Sequence, residues 1–290
     1  MKNMRIMATF ALAGLLLAAC GDDEDASTRP TTTAPAADDS CAAGKTLEEG
    51  SLTIATGDPA YPPYVVDDAP ESGEGFEAAV ALAVARELGF EGESVKWVRT
   101  SFDTAVAGSD TNFDFNLQQF SITDERKEVV SFSAPYYTSN QAVLGYTDGP
   151  AAGVTSLSDL KSLKLGAAAG TTSLQFIIDV IQPDSEPFAF NSNADAKAAL
   201  DNKQIDAIIT DLPTGLYISA VEIEGTQVFG QFPIDAGGAG DEWGMLFVKD
   251  NPLVECVDEA LATLTSSGEL AAITDEWMGE YIEAPVLSKD

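Results

Sequence analysis

Short apolar strands alternate with amphipathic helices over most of this chain, and that alternation leaves few architectures open. Leu52-Thr53-Ile54-Ala55-Thr56 reads as a strand. Gly75 to Gly89 reads as a helix, because Phe76, Val80, Val84 and Leu88 recur on one face. Ser94 to Val98, a short helix over Ser101 to Ala107, and Phe113 to Leu117 continue the series. Gln141 to Tyr146 is a strand that Thr147-Asp148-Gly149-Pro150 breaks. A second series follows: the strand Leu163 to Ala168, helices over Leu174 to Ile181 and Asn193 to Asn202, and the strand Ile205 to Ile209. Trp243 to Lys249 returns as a strand. Pro252 to Ser267 and a last short helix through Leu270, Ile273 and Trp277 close the chain. The pattern predicts an α/β protein with largely parallel sheets, in two lobes with crossovers near residues 148 and 245.

Composition excludes several functions. The 290 residues carry 15 Lys and Arg against 47 Asp and Glu, a formal charge of −32. So few cations supply no face for a nucleic-acid backbone. With no histidine, Ser-His-Asp and Cys-His triads and HExxH zinc sites are impossible. No metal or cofactor is expected. Gly166 to Thr172 is one residue short between its glycines and lacks the lysine of a phosphate loop.

Lys2 and Arg5 precede an apolar run to Ala19, the layout of a secretory signal. Leu17-Ala18-Ala19-Cys20 is similar to a bacterial lipobox, which implies cleavage before Cys20 and lipid on that cysteine. Residues 20–45, rich in Asp, Thr, Ala and Pro, are expected to be a disordered tether. Cys41 and Cys256 remain, and an exported chain with two cysteines permits one bridge.

Arg126 stands out locally. Thr123 suits the N-cap of a short helix, and Asp124 and Glu125 suit its first turn; a fixed cation there opposes the helix dipole. A guanidinium beside free N–H groups holds a carboxylate well, although pairing with Glu125 or Glu128 is the plainer alternative. Gly170-Thr171-Thr172 marks a second helix start. Asp211 follows an apolar strand, a good place for a carboxylate that receives an ammonium. One site holding a carboxylate and an ammonium implies an α-amino acid.

These stretches resemble the polar amino-acid solute-binding proteins of bacterial ABC importers (extracellular solute-binding proteins, family 3). The motifs are the Leu52–Thr56 strand with Tyr61-Pro62-Pro63-Tyr64, Gly75-Phe76-Glu77, Ser121-Ile122-Thr123-Asp124-Glu125-Arg126, Phe132 to Tyr137, Gly170-Thr171-Thr172, Asp206-Ala207 through Asp211, and Glu276-Trp277-Met278-Gly279. The resemblance implies a type II periplasmic-binding-protein fold, two α/β lobes on a two-strand hinge around a cleft. The lobes would be 46–147 with 246–290, and 148–245. By position, Arg126 would take the ligand carboxylate with Ser121 and Thr172, and Thr171 would lie beside them. Asp211 and the Gln119 carbonyl would take the ammonium, Tyr61 and Phe102 would flank the side chain, and Asp58 would reach its polar end. Tyr64 reads as an ordinary core aromatic, and Glu77 as a structural acid. Gln118 and Gln119 replace the small residues usual in the family, and Ala167 to Ala169 lack the lysine some members carry. A neutral polar or basic amino acid is therefore favoured. The implied partners are an ABC permease and its ATPase, with the membrane met only through the lipid at Cys20, and the protein a monomer. A ligand-sensing subunit, or an enzyme such as a dehydratase on the same fold, is the alternative.

Overall fold

In the computed structural model of the chain, the described residues are 40–232, 236–237, 240–281 and 283–290. The expected signal segment, Cys20 and the tether as far as residue 39 lie outside them. Strands follow in the order β1 (Leu52–Gly57), β2 (Val95–Thr100), β3 (Phe115–Asn116), β4 (Val130–Phe132), β5 (Tyr137–Tyr146), β6 (Leu165–Ala168), β7 (Phe188–Phe190), β8 (Ala207–Asp211), β9 (Thr226–Gln231), β10 (Gly240–Trp243) and β11 (Leu246–Val248). The helices are α1 (Phe76–Glu87), α2 (Phe102–Val106), α3 (Asp124–Lys127), α4 (Thr172–Phe176), α5 (Asn193–Asp201), α6 (Leu212–Tyr217), α7 (Val254–Ser267) and α8 (Glu269–Met278).

Two sheets form, each with its own core. In the first, ordered β2-β1-β3-β11-β4, β1 lies parallel to β2 and β3, and β11 runs antiparallel to β3 and β4. All six residues of β1 are buried. The stripe Phe76, Val80 and Val84 of α1, with Leu88 at its C-cap, packs with Leu52, Ile54 and the Val257, Leu261 and Leu264 stripe of α7. Each such fully buried side chain contributes about 1.5–3 kcal/mol. The second sheet is ordered β10-β5-β8-β6-β7, with β9 also on β5. Alternation along β5 and β8 fills both its faces: Val143 and Ile209 enter one core, and Ala142, Leu144 and Ile208 the other. The strand β5 is antiparallel to β8, β9 and β10, so both sheets are mixed, not largely parallel.

The first crossover differs from the expected one, and the return near residue 245 does not. All of β5 belongs to the second sheet, so the chain leaves the first lobe between β4 and β5, not near residue 148. The Thr147–Pro150 break is a turn at the far end of β5, where Thr147 N–H donates to the Gly225 carbonyl. The return comes at Gly244-Met245, which splits the expected Trp243–Lys249 strand into β10 and β11. A Cβ at Gly244 would lie 2.8 Å from Ile122 Cδ1 and 3.2 Å from the Ser133 carbonyl, so a side chain at the crossing would have to displace Ile122. There β5 and β10 pair antiparallel, Tyr137 opposite Trp243, as a two-strand hinge.

Both ends of the folded body also depart from expectation. It begins before residue 46: Cys41 is disulfide-bonded to Cys256 of α7, and Ala42 is buried in the first lobe's core. After α8 the chain crosses once more. Leu287 is buried in the second lobe's core, and Val286 and Ser288 bridge to Gln231 and Ser156. Residues 283–290 therefore join the second lobe, not the first.

Candidate functional site

A cleft of about 420 Å³ lies between the lobes, a size suited to a small molecule. Asp58, Tyr61, Phe102, Gln119, Ser121, Arg126, Thr171, Thr172 and Asp211 all line it. Sequence reasoning thus nominated groups that the fold brings together from five separate stretches.

Arg126 sits on the single turn α3, where its N–H donates to the Thr123 cap at 3.1 Å. Its side chain turns back under the loop before the turn and is 9% exposed. Nη1 donates to the Ser121 carbonyl at 2.7 Å and Nη2 to the Gly170 carbonyl, on the other lobe, at 3.0 Å. The guanidinium lies over the Phe102 ring, 5.3 Å from its centroid, and that ring stacks on Phe120. Neither Glu125 nor Glu128 pairs with it; among the described residues no carboxylate lies within 4.0 Å. Burial pushes its pKa down, and the charges of Asp241 and Glu125 oppose that shift.

Asp211 closes β8 and caps α6, accepting from Thr214 N–H at 3.0 Å. The same oxygen accepts from the Tyr64 hydroxyl at 2.7 Å, and that hydroxyl also lies 2.8 Å from Thr214 Oγ1. Tyr64 is thus not merely a core aromatic. It reaches from the first lobe to the second, from a loop held by Gly75, whose φ of 108° and whose would-be Cβ, 2.5 Å from the Tyr64 carbonyl, exclude other residues. Burial raises the Asp211 carboxyl above the usual range. Among the described residues no cation pairs with it.

Beside these ends lies a residue that sequence reasoning missed. Asp241 of β10 is 9% exposed. Its Oδ2 accepts from Thr172 Oγ1 at 2.6 Å, Gln141 Nε2 at 2.7 Å and Ser121 Oγ at 3.1 Å. Thr171 serves as the α4 cap: its hydroxyl accepts from Leu174 N–H at 3.2 Å and donates to the Ala168 carbonyl at 2.7 Å.

Glu77 forms a buried brace below the cleft. One oxygen accepts from Gln119 N–H at 2.8 Å and from the Tyr136 hydroxyl, and the other from Gln119 Nε2. Burial raises its pKa to about 7. The brace holds Gln119 at φ 49°, a left-handed conformation that costs a non-glycine residue about 1 kcal/mol. Gln118 also lines the cleft, and its buried Oε1 has no partner among the described residues. Tyr61 and the exposed Asp58 lie on the rim. A cation does reach the cleft, on α5: Lys197 lies 5.9 Å from the Tyr61 ring centroid and pairs with Glu222 at 2.8 Å. The lining acids Asp58, Glu77, Asp103, Asp211, Glu222 and Asp241 outnumber Arg126 and Lys197.

A profile of the bacterial extracellular solute-binding proteins, family 3, matches residues 52–280. The chain belongs to that family. Among curated members, it is 28% identical to the arginine-binding periplasmic protein of Mannheimia haemolytica, covering 77% of this chain and 89% of that one. It is also 28% identical to the L-cystine-binding protein TcyJ of Escherichia coli (strain K12), covering 81% and 85%. Among solved structures, an ancestral arginine-binding protein bound to glutamine aligns with a TM-score of 0.67 at 28% identity, over 80% of this chain and 99% of that one. The arginine-, lysine-, histidine-binding protein ArtJ of Geobacillus stearothermophilus gives 0.65 at 26%, over 79% and 95%. The fold is that of the type II periplasmic binding proteins.

Proposed function

We propose that this family 3 protein is an extracytoplasmic receptor that binds a free amino acid in the cleft and hands it to an ABC importer. The observation that carries this reading is Arg126. A buried guanidinium whose hydrogen bonds go only to carbonyls, in a chain with 47 acidic residues, is costly unless an anion arrives. Asp211 is its complement, a carboxylate without a cation. A zwitterionic head group satisfies both charges at once.

The arginine-, cystine- and histidine-binding names of the relatives support the same class. They are binding proteins, which favours a receptor over an enzyme, although another similar structure is an ancestral precursor of cyclohexadienyl dehydratase. The acidic lining favours a basic or neutral polar side chain, flanked by Tyr61 and Phe102. In this mechanism Arg126 captures the carboxylate from the first lobe. Closure about β5 and β10 then brings Asp211 onto the ammonium, and the ligand favours the closed form by its differential affinity. The closed form would dock on a permease coupled to its ATPase. Lipid on Cys20 would hold this monomeric receptor at the outer membrane face, and a free-standing sensor remains the alternative use of the same site.

Calorimetry tests the reading, using protein stripped of ligand by unfolding and refolding. Tight binding of one or a few amino acids, lost in deaminated and decarboxylated analogues, is the expected result. Silence across the twenty common amino acids would overturn it.

A further inference from the structure

We infer that Asp241 is an internal competitor for the ligand's carboxylate, an acid of the protein's own that sets the affinity of the site. The inference rests on the amino-acid reading above. Ser121 and Thr172 belong to opposite lobes and lie 3.2 Å apart across the cleft. Each hydroxyl has a single proton. One oxygen of Asp241 is placed to accept from both, at 3.1 and 2.6 Å, and Gln141 supplies a third donor to that oxygen at 2.7 Å. The two hydroxyls placed to help Arg126 hold a carboxylate are therefore already holding one.

Three consequences follow from that geometry. A ligand carboxylate gains those hydroxyls only if they turn from Asp241, which then keeps Gln141 alone. It also enters beside a like charge that is 9% exposed, in a setting where water screens poorly. Finally, Asp241 lies on the hinge strand β10 and joins donors from both lobes, so it draws the empty cleft together as a ligand would. The residue thus lowers affinity for carboxylate-bearing ligands while favouring closure without them.

The test compares wild type with Asp241→Asn by calorimetry, titrating L-arginine, L-histidine, L-glutamine, L-cystine and agmatine, the decarboxylated analogue of arginine. Asp241→Ser serves as a second, smaller neutral replacement. Freeing two hydroxyl donors and removing a like charge should tighten binding of each amino acid that wild type binds by at least about tenfold in either variant. Agmatine, which has no carboxylate to gain those donors, should show no tightening. Wild-type binding with equal or weaker binding in both variants would overturn this inference alone and leave the receptor reading standing. An equal gain for agmatine would also overturn it. Absence of amino-acid binding by wild type and variants would overturn both.

Discussion

Replacing Arg126 with Ala separates the cost of an unpaired charge from its use. Two of the five guanidinium N–H groups are engaged by the Ser121 and Gly170 carbonyls, which leaves three, enough for two bonds to a ligand carboxylate. Two charge-assisted bonds at about 1.5–3 kcal/mol each imply a loss of about 3–6 kcal/mol of binding, roughly two to four powers of ten in Kd. The empty protein should respond differently. It loses two bonds to carbonyls but also loses a buried charge that no carboxylate contacts directly, so its Tm should move by no more than about 4 °C. At a ligand concentration a hundredfold above Kd, the wild type gains about 2.7 kcal/mol. For a folded body of this size, that corresponds to a rise of roughly 5–10 °C in Tm. The variant should show no rise at the same concentration. A Kd within about threefold of wild type by calorimetry, or an undiminished ligand-induced Tm shift, would refute the role given to Arg126.

Three further outcomes are expected. Glu77 has a folded pKa of about 7 against an ordinary 4.5, so the native state holds its proton more tightly than the unfolded chain. Its contribution is complete below 4.5 and is lost as pH rises through about 7, up to about 3 kcal/mol; Glu77→Gln should flatten that part of a urea-denaturation pH profile, and an unchanged slope counts against the brace. Replacing Cys41 and Cys256 with Ser opens a closure spanning 215 residues and should cost about 2–5 kcal/mol, read as a lower Tm that no longer depends on reductant. Tyr64→Phe removes the hydroxyl between Tyr64 and Asp211 and should weaken binding by roughly fivefold through easier opening, at about 1 kcal/mol; a variant that binds as wild type would show that the hydroxyl does not assist closure.

The sequence carried what is local. The four-residue stripes on α1 and α7, the Thr123 and Thr171 caps, and the misfit of Arg126 with its helix turn each show within a short window. Partners contributed by distant strands do not. Asp241 follows a glycine-rich stretch with no pattern of its own, and its meaning comes only when β10 pairs with β5 and meets Thr172. Tyr64 carries the ring of a core residue, and only the fold sets its hydroxyl against Asp211. The crossover was misplaced because the Thr147–Pro150 break is a real turn, and nothing local tells a turn between strands of one sheet from a passage between lobes. A pocket lysine was sought only before Gly170, where Ala167 to Ala169 stand, so Lys197, arriving from another helix, went unnoticed.

The two ends of the folded body are fastened to opposite lobes, residue 41 by its disulfide to α7 and residue 287 by its place in the second core. A dye attached ahead of Cys41 and another at the carboxyl end would therefore ride on different halves of the clamp. Their separation would change with each opening and closing, so energy transfer between them would report occupancy without any label in the cleft. The wiring that fixes the termini makes the molecule a ready frame for an amino-acid biosensor.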